Sequence, residues 1–119
     1  MKKSYMCFLL MIFVAGIIGT KLIGTIHSEP VKAGEDAIVY VNLKNPLAHD
    51  FHDMTIKAIT LDFYSFDLAH GFRIDDYETA TAKLLLHIPK TVEKDSYLVR
   101  ISATSADFQD SRYVYINVI

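Results

Sequence analysis

The chain has 119 residues, 51% of them hydrophobic, with 14 acidic and 12 basic residues and a net charge of −2. This length allows one small domain beside a membrane segment, and the single cysteine, Cys7, excludes an intramolecular disulfide. Residues 29–119 hold every acidic residue and nine of the basic residues, a net charge of −5. This part therefore lacks the basic patch that nucleic-acid binding requires, and we expect no nucleic-acid partner.

An apolar segment follows two lysines at the amino terminus and runs from Tyr5 to Ile26, interrupted only by Lys21. As a helix rising 1.5 Å per residue it would be about 33 Å long, which matches a hydrocarbon core of about 30 Å. Because basic residues stay on the cytoplasmic side of a membrane, we predict a single-pass signal anchor at residues 1–28. Lipid would contact residues 5–26, and the domain at 29–119 would lie outside the cytoplasm.

A cleaved signal peptide is the alternative, since it also begins with basic residues and an apolar stretch. Its peptidase requires small residues one and three positions before the cut. The small residues Gly19 and Gly24 instead have Ile17 and Leu22 two positions before them. This pattern favours an uncleaved anchor, and with either interpretation the rest of the chain crosses the membrane.

Small residues recur at every fourth position of the apolar segment, at Gly16, Thr20 and Gly24. In a helix they would lie on one side, and small residues at this spacing let two membrane helices approach closely. Glycine is also frequent in membrane helices without such packing. The stripe is the feature of the sequence that predicts helix packing and a homo-oligomer.

Beyond Gly34 the hydrophobic residues recur at every second position, which is the period of a β-strand. A shift in this alternation near Ala58 predicts a β-bulge. Some segments show the pattern clearly and others weakly, and none shows the period of an amphipathic helix. The clear segments are 36–45, 53–63, 77–88, 96–104 and 112–119, and the weak ones are 29–32 and 64–73. Together they predict an all-β, antiparallel β-sandwich of about seven strands.

Parts of the predicted sandwich share a pattern with known domains, namely Val31–Glu35, Val39–Asn45, Leu84–Pro89 and Asp95–Ile101. They resemble the immunoglobulin-like domains of archaeal and bacterial cell-envelope proteins, of the cell-adhesion-related and surface-layer-associated families. In those families a strand ending in asparagine follows a proline-glycine turn, a later strand ends in Ile-Pro, and a strand with the pattern Gly-x-Tyr-x-Val comes next. Here Asp95 occupies the glycine position.

The resemblance covers residues 29–119 and implies an immunoglobulin-like β-sandwich of the cell envelope, archaeal by its closest pattern. It also implies a non-catalytic scaffold or adhesion role, with another envelope or surface protein as partner. The alternative is a pilin-like or archaellin-like filament subunit, or an archaellum stator-like component, that assembles through the amino-terminal helix. Filament precursors carry a basic residue and a glycine before the apolar stretch, whereas this chain has Lys3 and Ser4. That difference favours the scaffold.

Two histidines and two carboxylates lie within the five residues from His49 to Asp53. His49 and His52 are candidate ligands for zinc or another transition metal if His70 or Asp67 supplied a third. A polar loop between strands explains the same residues without a metal, and we favour that interpretation. The sequence has no nucleophile motif and no glycine-rich phosphate loop, so we expect neither a cofactor nor enzymatic activity.

Aromatic side chains at outward positions of the predicted strands form the last candidate site, at Tyr40, Tyr113 and Tyr115. Tyrosine on a sandwich surface can anchor a partner protein or stack on a sugar ring. In a domain this small, the same side chains would otherwise cover a thin core. We take the three tyrosines as a hypothetical interaction surface.

Overall fold

The computed structural model describes residues 22–106 and 108–119, and these residues form seven β-strands. Apolar and polar residues alternate along the strands because one face of each strand is buried and the other faces solvent. In chain order the strands are β1 (Ile23–Ser28), β2 (Asp36–Lys44), β3 (Phe51–Thr60), β4 (Ser65–Ile74), β5 (Thr79–His87), β6 (Asp95–Ser105) and β7 (Phe108–Val118).

The strands form two antiparallel sheets that pack face to face. The first sheet has three strands in the order β1-β2-β5, and the second has four in the order β4-β3-β6-β7. The largest fully buried side chains come from both sheets and include Leu22, Leu43, Met54, Ile56, Leu84, Leu86, Ile101 and Ile116. This architecture confirms the predicted all-β sandwich of seven antiparallel strands.

Strand β3 is irregular at its beginning rather than near its end. Its pairing with β4 shifts register around Asp53, whose φ is +51°. The bulge predicted near Ala58 is therefore wrong, because pairing on both sides of that residue is regular. The strand ends at Thr60, and Leu61 already belongs to the following turn, which explains the apparent shift in alternation.

The first strand lies earlier in the chain than the sequence predicted. Residues 23–28 pair with β2, and Leu22 is fully buried in the core. The weak strand predicted at 29–32 does not form; in it, Val31 makes an isolated parallel bridge to Val118. The predicted boundary between residues 28 and 29 is thus too late, and the sandwich includes Leu22.

This correction shortens the predicted lipid-contacting segment 5–26, whose last residues belong to the sandwich. Gly24 lies in β1, so the predicted helical stripe loses its third member. Gly16 and Thr20 are outside the described residues, as is the chain up to Lys21. In the described ranges, 22–106 and 108–119, no helix is long and apolar enough to cross a membrane.

Hydrogen bonds between the two sheets hold the start of β1 on β7. Oδ2 of Asp110 accepts hydrogen bonds from the backbone amides of Leu22 and Ile23, each at 3.0 Å. Arg112 donates from Nη2 to the Ile23 carbonyl at 3.0 Å and from Nη1 to the carbonyl of Gly24. We call these contacts the β1–β7 clamp. They fix the position of the chain from Leu22 onward.

The other open edge of the sandwich is also bridged. On β4, Oδ2 of Asp67 accepts a hydrogen bond from the backbone amide of Leu85 on β5 at 2.8 Å. Beyond the clamp, the Val31 amide donates to the Asn117 carbonyl at 3.0 Å, and the Ile119 amide donates to the Val31 carbonyl at 2.9 Å. These bridges reduce the number of free backbone groups that could pair with a strand of another chain.

A buried asparagine joins two loops at the end of the sandwich where Leu22 lies, which we call the near end. Nδ2 of Asn45 donates to the carbonyls of His49 at 2.7 Å and Asp75 at 3.1 Å, and its Oδ1 accepts from the Leu47 amide at 2.9 Å. The side chain therefore satisfies the Leu47 amide and the His49 carbonyl in a partly buried region, and it adds a second bond to the Asp75 carbonyl, which also accepts from the Glu78 amide.

Replacing Asn45 with alanine should lower the free energy of unfolding by about 2 kcal/mol, because the partly buried Leu47 amide and His49 carbonyl lose this partner. Urea unfolding of the variant measures this loss. Asn42→Ala is the matched control, since Asn42 is exposed and its side chain bonds, among the described residues, only the hydroxyls of Thr25 and Thr81. We expect a loss below about 1 kcal/mol for the control. Equal losses in both variants would contradict the role assigned to Asn45.

Thr60 presents the opposite situation, a buried hydroxyl that has no hydrogen-bond partner among the described residues. Thr60→Val keeps the shape of the side chain and removes the unsatisfied group, so it should raise the free energy of unfolding by about 1 kcal/mol. Thr91→Val, at an exposed position, should give no such gain. Thermal unfolding of both variants checks this, and a destabilised Thr60→Val variant would show that the hydroxyl is satisfied in solution.

Candidate functional site

The outer face of the four-stranded sheet exposes large apolar side chains. Leu61 is 70% exposed, Phe66 61%, Tyr113 60% and Tyr115 65%, values far above those of core residues. We call this surface the aromatic face, and its members are Ile59, Leu61, Phe66, Leu98, Tyr113 and Tyr115. A group of large, exposed apolar side chains of this kind on a small domain is typical of an interaction site.

Strand pairing brings these residues together although they are distant in the chain. One row crosses all four strands, because Ile59 pairs with Phe66 on one side and with Arg100 on the other, and Arg100 pairs with Tyr113. At about 4.8 Å between neighbouring strands, this row is about 14 Å wide. Leu98 pairs with Tyr115 in the adjacent row. The aromatic face is thus a continuous patch.

Two cations lie within this patch. A shallow depression of about 370 Å³ is lined by Lys57, Ile59, Leu61, Asp62, Leu98, Arg100 and Tyr113. Nζ of Lys57 lies 6.0 Å from the ring centroid of Phe66. Among the described residues, neither Lys57 nor Arg100 forms an ion pair with a carboxylate. Their charges are available to a ligand on a domain that is otherwise acidic.

A turn at the end of the sandwich away from Leu22, which we call the far end, positions one margin of the aromatic face. Phe63 packs edge-on against Tyr97, with ring centroids 5.4 Å apart and planes at 79°. The hydroxyl of Tyr97 donates to the Glu93 carbonyl at 2.8 Å. Because Phe63 points inward, Leu61 and Tyr64 on the same turn point into solvent.

Tyr40 does not belong to the aromatic face. It lies on the outer face of the three-stranded sheet, where its ring stacks on His27 with centroids 6.5 Å apart. Next to it, Asn42 bonds the hydroxyls of Thr25 at 2.6 Å and Thr81 at 2.8 Å. That sheet surface is mainly polar and internally hydrogen-bonded, with Leu85 as a 43% exposed apolar side chain on it. The three predicted tyrosines therefore do not form one surface; Tyr113 and Tyr115 share a face, and Tyr40 is on the opposite side.

The predicted metal ligands are not brought together with a third ligand. The His49 ring packs near Phe51, and Nε2 of His52 lies 3.9 Å from Oδ2 of Asp50. Of the residues considered as a third ligand, Asp67 bonds the Leu85 amide, and Nδ1 of His70 lies 3.5 Å from the Thr55 hydroxyl. In the part of the chain that the structure describes, no three His, Cys, Asp or Glu side chains are grouped to hold a metal ion.

Sequence reasoning missed most members of the aromatic face. Leu98 carried a signal, since it is a large apolar residue at an outward position of a predicted strand. Phe66 and Leu61 carried none, because they lie in a weakly patterned segment and at a strand end. Their contribution depends on which strands are neighbours, which periodicity in one strand does not reveal.

Neither a protein-family model nor the sequence of a curated protein matches the chain. A solved structure with a similar fold comes from a study of glycolipid glycan hydrolysis by a family 123 glycoside hydrolase from Clostridium perfringens. The TM-score is 0.58 at 10% sequence identity, and the match covers 83% of this chain but 27% of the hydrolase chain. This likeness concerns the fold. Fold and site together define the class, a small all-β sandwich with an exposed apolar face.

The far end of the molecule should respond to high pH through Tyr97. Partial burial raises the pKa of its phenol, and the nearby carboxylates of Asp95, Glu93 and Asp62 raise this pKa further. In the unfolded chain the phenol ionises near its usual pKa of about 10, so its stabilising effect is complete below about pH 10. The effect is lost as the pH rises through the higher pKa of the folded state.

Comparison of the parent chain with Tyr97→Phe tests this, because phenylalanine cannot ionise or donate the hydrogen bond to Glu93. The variant should unfold at a lower urea concentration at pH 8, and the difference should shrink above about pH 10. A difference that stays constant with pH would contradict the assigned pKa shift.

Proposed function

We propose that this protein is a membrane-anchored, extracytoplasmic, immunoglobulin-like module of the cell envelope that binds another envelope protein and catalyses no reaction. The observation that supports this function best is the contrast between its two outer surfaces. One sheet surface carries mainly polar, hydrogen-bonded side chains, with Tyr40 36% and Leu85 43% exposed, whereas the other exposes the larger aromatic face. Soluble monomeric proteins rarely expose a large apolar patch unless that patch binds a partner or ligand.

The immunoglobulin-like assignment rests on strand arrangement and on one tyrosine. In immunoglobulin domains, a tyrosine near the start of the sixth strand bonds the backbone of the preceding corner. Tyr97 matches this feature, since it lies near the start of β6 and bonds the Glu93 carbonyl four residues earlier. One strand differs in its position. Here β4 pairs with β3 and belongs to the same sheet as β6 and β7, whereas constant-type domains place the fourth strand on the sheet that contains the first, second and fifth strands.

The composition of the aromatic face favours a protein partner over a sugar. Protein interfaces are enriched in tyrosine, phenylalanine and arginine and combine them with aliphatic residues. Sugar rings stack on flat aromatic surfaces, but here Arg100 and Ile59 separate the rings of Tyr113 and Phe66 along the row. The fold-level likeness to a glycoside hydrolase chain does not transfer a sugar ligand.

The anchor in this proposal is the apolar segment before Lys21. Tyr5–Thr20 as a helix would measure about 24 Å, shorter than a hydrocarbon core of about 30 Å. Local thinning of the bilayer and a lysine side chain that reaches the head groups can accommodate this difference. The alternative filament subunit would also assemble through this helix, and the stripe of small residues that predicts helix packing loses its third member, Gly24, to β1. This loss favours the binding module.

Site-specific photo-crosslinking in intact cells tests the proposed binding. A photoreactive phenylalanine analogue at Tyr113 should give a discrete protein adduct, while the same analogue at Tyr40, on the three-stranded sheet, should not. In a second variant, Leu98→Ser with Tyr115→Ser should reduce the adduct several-fold without lowering stability by more than about 0.5 kcal/mol each, since both side chains are exposed.

Other results would contradict the proposal. Equal adducts at both positions would mean that the aromatic face has no special affinity. An adduct at Tyr113 that consists of glycan, or that free oligosaccharide abolishes, would identify a carbohydrate-binding module instead.

A further inference from the structure

We infer that the aromatic face is directed parallel to the plane of the membrane, close to the bilayer surface, and that it binds a partner anchored in the same membrane. This inference rests on the proposed function and specifies the class of its partner. It differs from adhesion, in which the partner belongs to a facing cell or to a distant layer of the envelope. The physical basis is the β1–β7 clamp and its distance from the apolar segment.

The clamp holds Leu22 and Ile23, the first described residues, in fixed positions. Leu22 and Ile23 are almost completely inaccessible to solvent, and the carboxylate of Asp110 accepts hydrogen bonds from both of their amides. The Leu22 carbonyl accepts a hydrogen bond from the Lys44 amide at 2.9 Å. The Ile23 carbonyl is held by Arg112. Releasing these residues would break backbone bonds and expose two large apolar side chains, so the fold holds the chain from Leu22 onward.

The apolar segment ends almost where the fold begins. Thr20 is its last residue before Lys21, and Leu22 is the first clamped residue. Two residue steps extend over at most about 7 Å. If the apolar segment lies in the bilayer, the near end of the sandwich must then lie at the lipid head groups, because no tether separates the two.

The strand directions determine which end faces the membrane. Ile23 pairs with Leu43, and Lys44 pairs with Thr79, so the loops at 45–50 and 75–78 lie beside the start of β1. The turn at 61–64 lies at the other end of the four-stranded sheet, beyond the pairing of Thr60 with Ser65. The loops at 45–50 and 75–78 therefore face lipid and the 61–64 turn faces away from it.

The height of the aromatic face above the membrane follows from β7. Asp110 bonds Leu22 at the near end, and strands rise about 3.3 Å per residue, so Tyr113 lies about 10 Å and Tyr115 about 17 Å further along the strand. The strands run away from the membrane, and the aromatic face lies along them, so it faces in a direction parallel to the plane of the membrane. A neighbour in the same membrane presents its surface at this height, whereas a protein on a facing cell would have to reach down to the lipid.

The orientation can be measured by energy transfer in vesicles. In a Cys7→Ser background, which removes the only native cysteine, single variants Tyr77→Cys and Tyr64→Cys carry a donor dye. The two positions are matched, since both tyrosines are exposed and have positive φ, and they lie at opposite ends of the sandwich. The acceptor is a head-group-labelled lipid in phosphatidylcholine vesicles, chosen because the near end carries several carboxylates.

Transfer should be markedly higher from position 77 than from position 64. A flexible glycine-serine insertion of about 12 residues after Lys21, which spans about 20 Å on average, should remove most of this difference while leaving the clamp intact. Equal transfer from both positions in a chain that floats with the vesicles would overturn the inference and leave the anchor in place. A chain that does not float would refute the anchor, and the inference with it.

The class of partner is tested by mixing two cell populations. Cells that carry the photoreactive analogue at position 113 are grown with a heavy nitrogen isotope and mixed with unlabelled cells before irradiation. Partner peptides in the adduct should be heavy only and should come from a protein with its own membrane segment. A mixture of heavy and light partner peptides would show binding between cells and overturn the inference, and the absence of any adduct would refute the proposed binding itself.

Discussion

Asp110 accepts two successive backbone hydrogen bonds, from Leu22 and Ile23, and this contact holds the first described residues of the chain in the sandwich. With Arg112 it closes one edge of the sandwich and places β1 beside β2, so that Leu22 completes the core. A carboxylate suits this position because it accepts from two amides at once, and charge-assisted hydrogen bonds are stronger than neutral ones.

The two outer surfaces of the sandwich differ in whether their polar side chains have partners and in how much apolar surface they expose. On the three-stranded sheet, the asparagine and threonine side chains bond one another, and Tyr40 is covered partly by His27. On the four-stranded sheet, apolar side chains surround Lys57 and Arg100, and neither cation has a carboxylate partner in the described ranges. Burial of that surface by a partner would release water from apolar area and pair the two charges.

Most strands were predictable because each has one buried face, and a buried face imposes a period of two on the sequence. Strands β2, β5 and β6 match their predicted ranges to within two residues at each end, whereas β7 begins at Phe108, four residues earlier than predicted. The prediction failed for β1, where Ile23 and Ile26 fit an apolar helix as well as a strand. It also misplaced the bulge of β3, since the apolar Leu61 continues the pattern beyond the last paired residue. In both cases, local hydrophobicity had two structural explanations.

The sequence by itself determined the all-β class, the single small domain and the acidic character of the part after residue 28, because these follow from composition and from short-range periodicity. Tertiary structure decided which tyrosines share a surface, which residues could approach a metal, and that residues 22–28 belong to the sandwich. Those properties depend on pairing between strands that are far apart in the chain, as in the row that joins Phe66 to Tyr113. Such pairing is selected by packing of the whole sandwich, and no single segment encodes it.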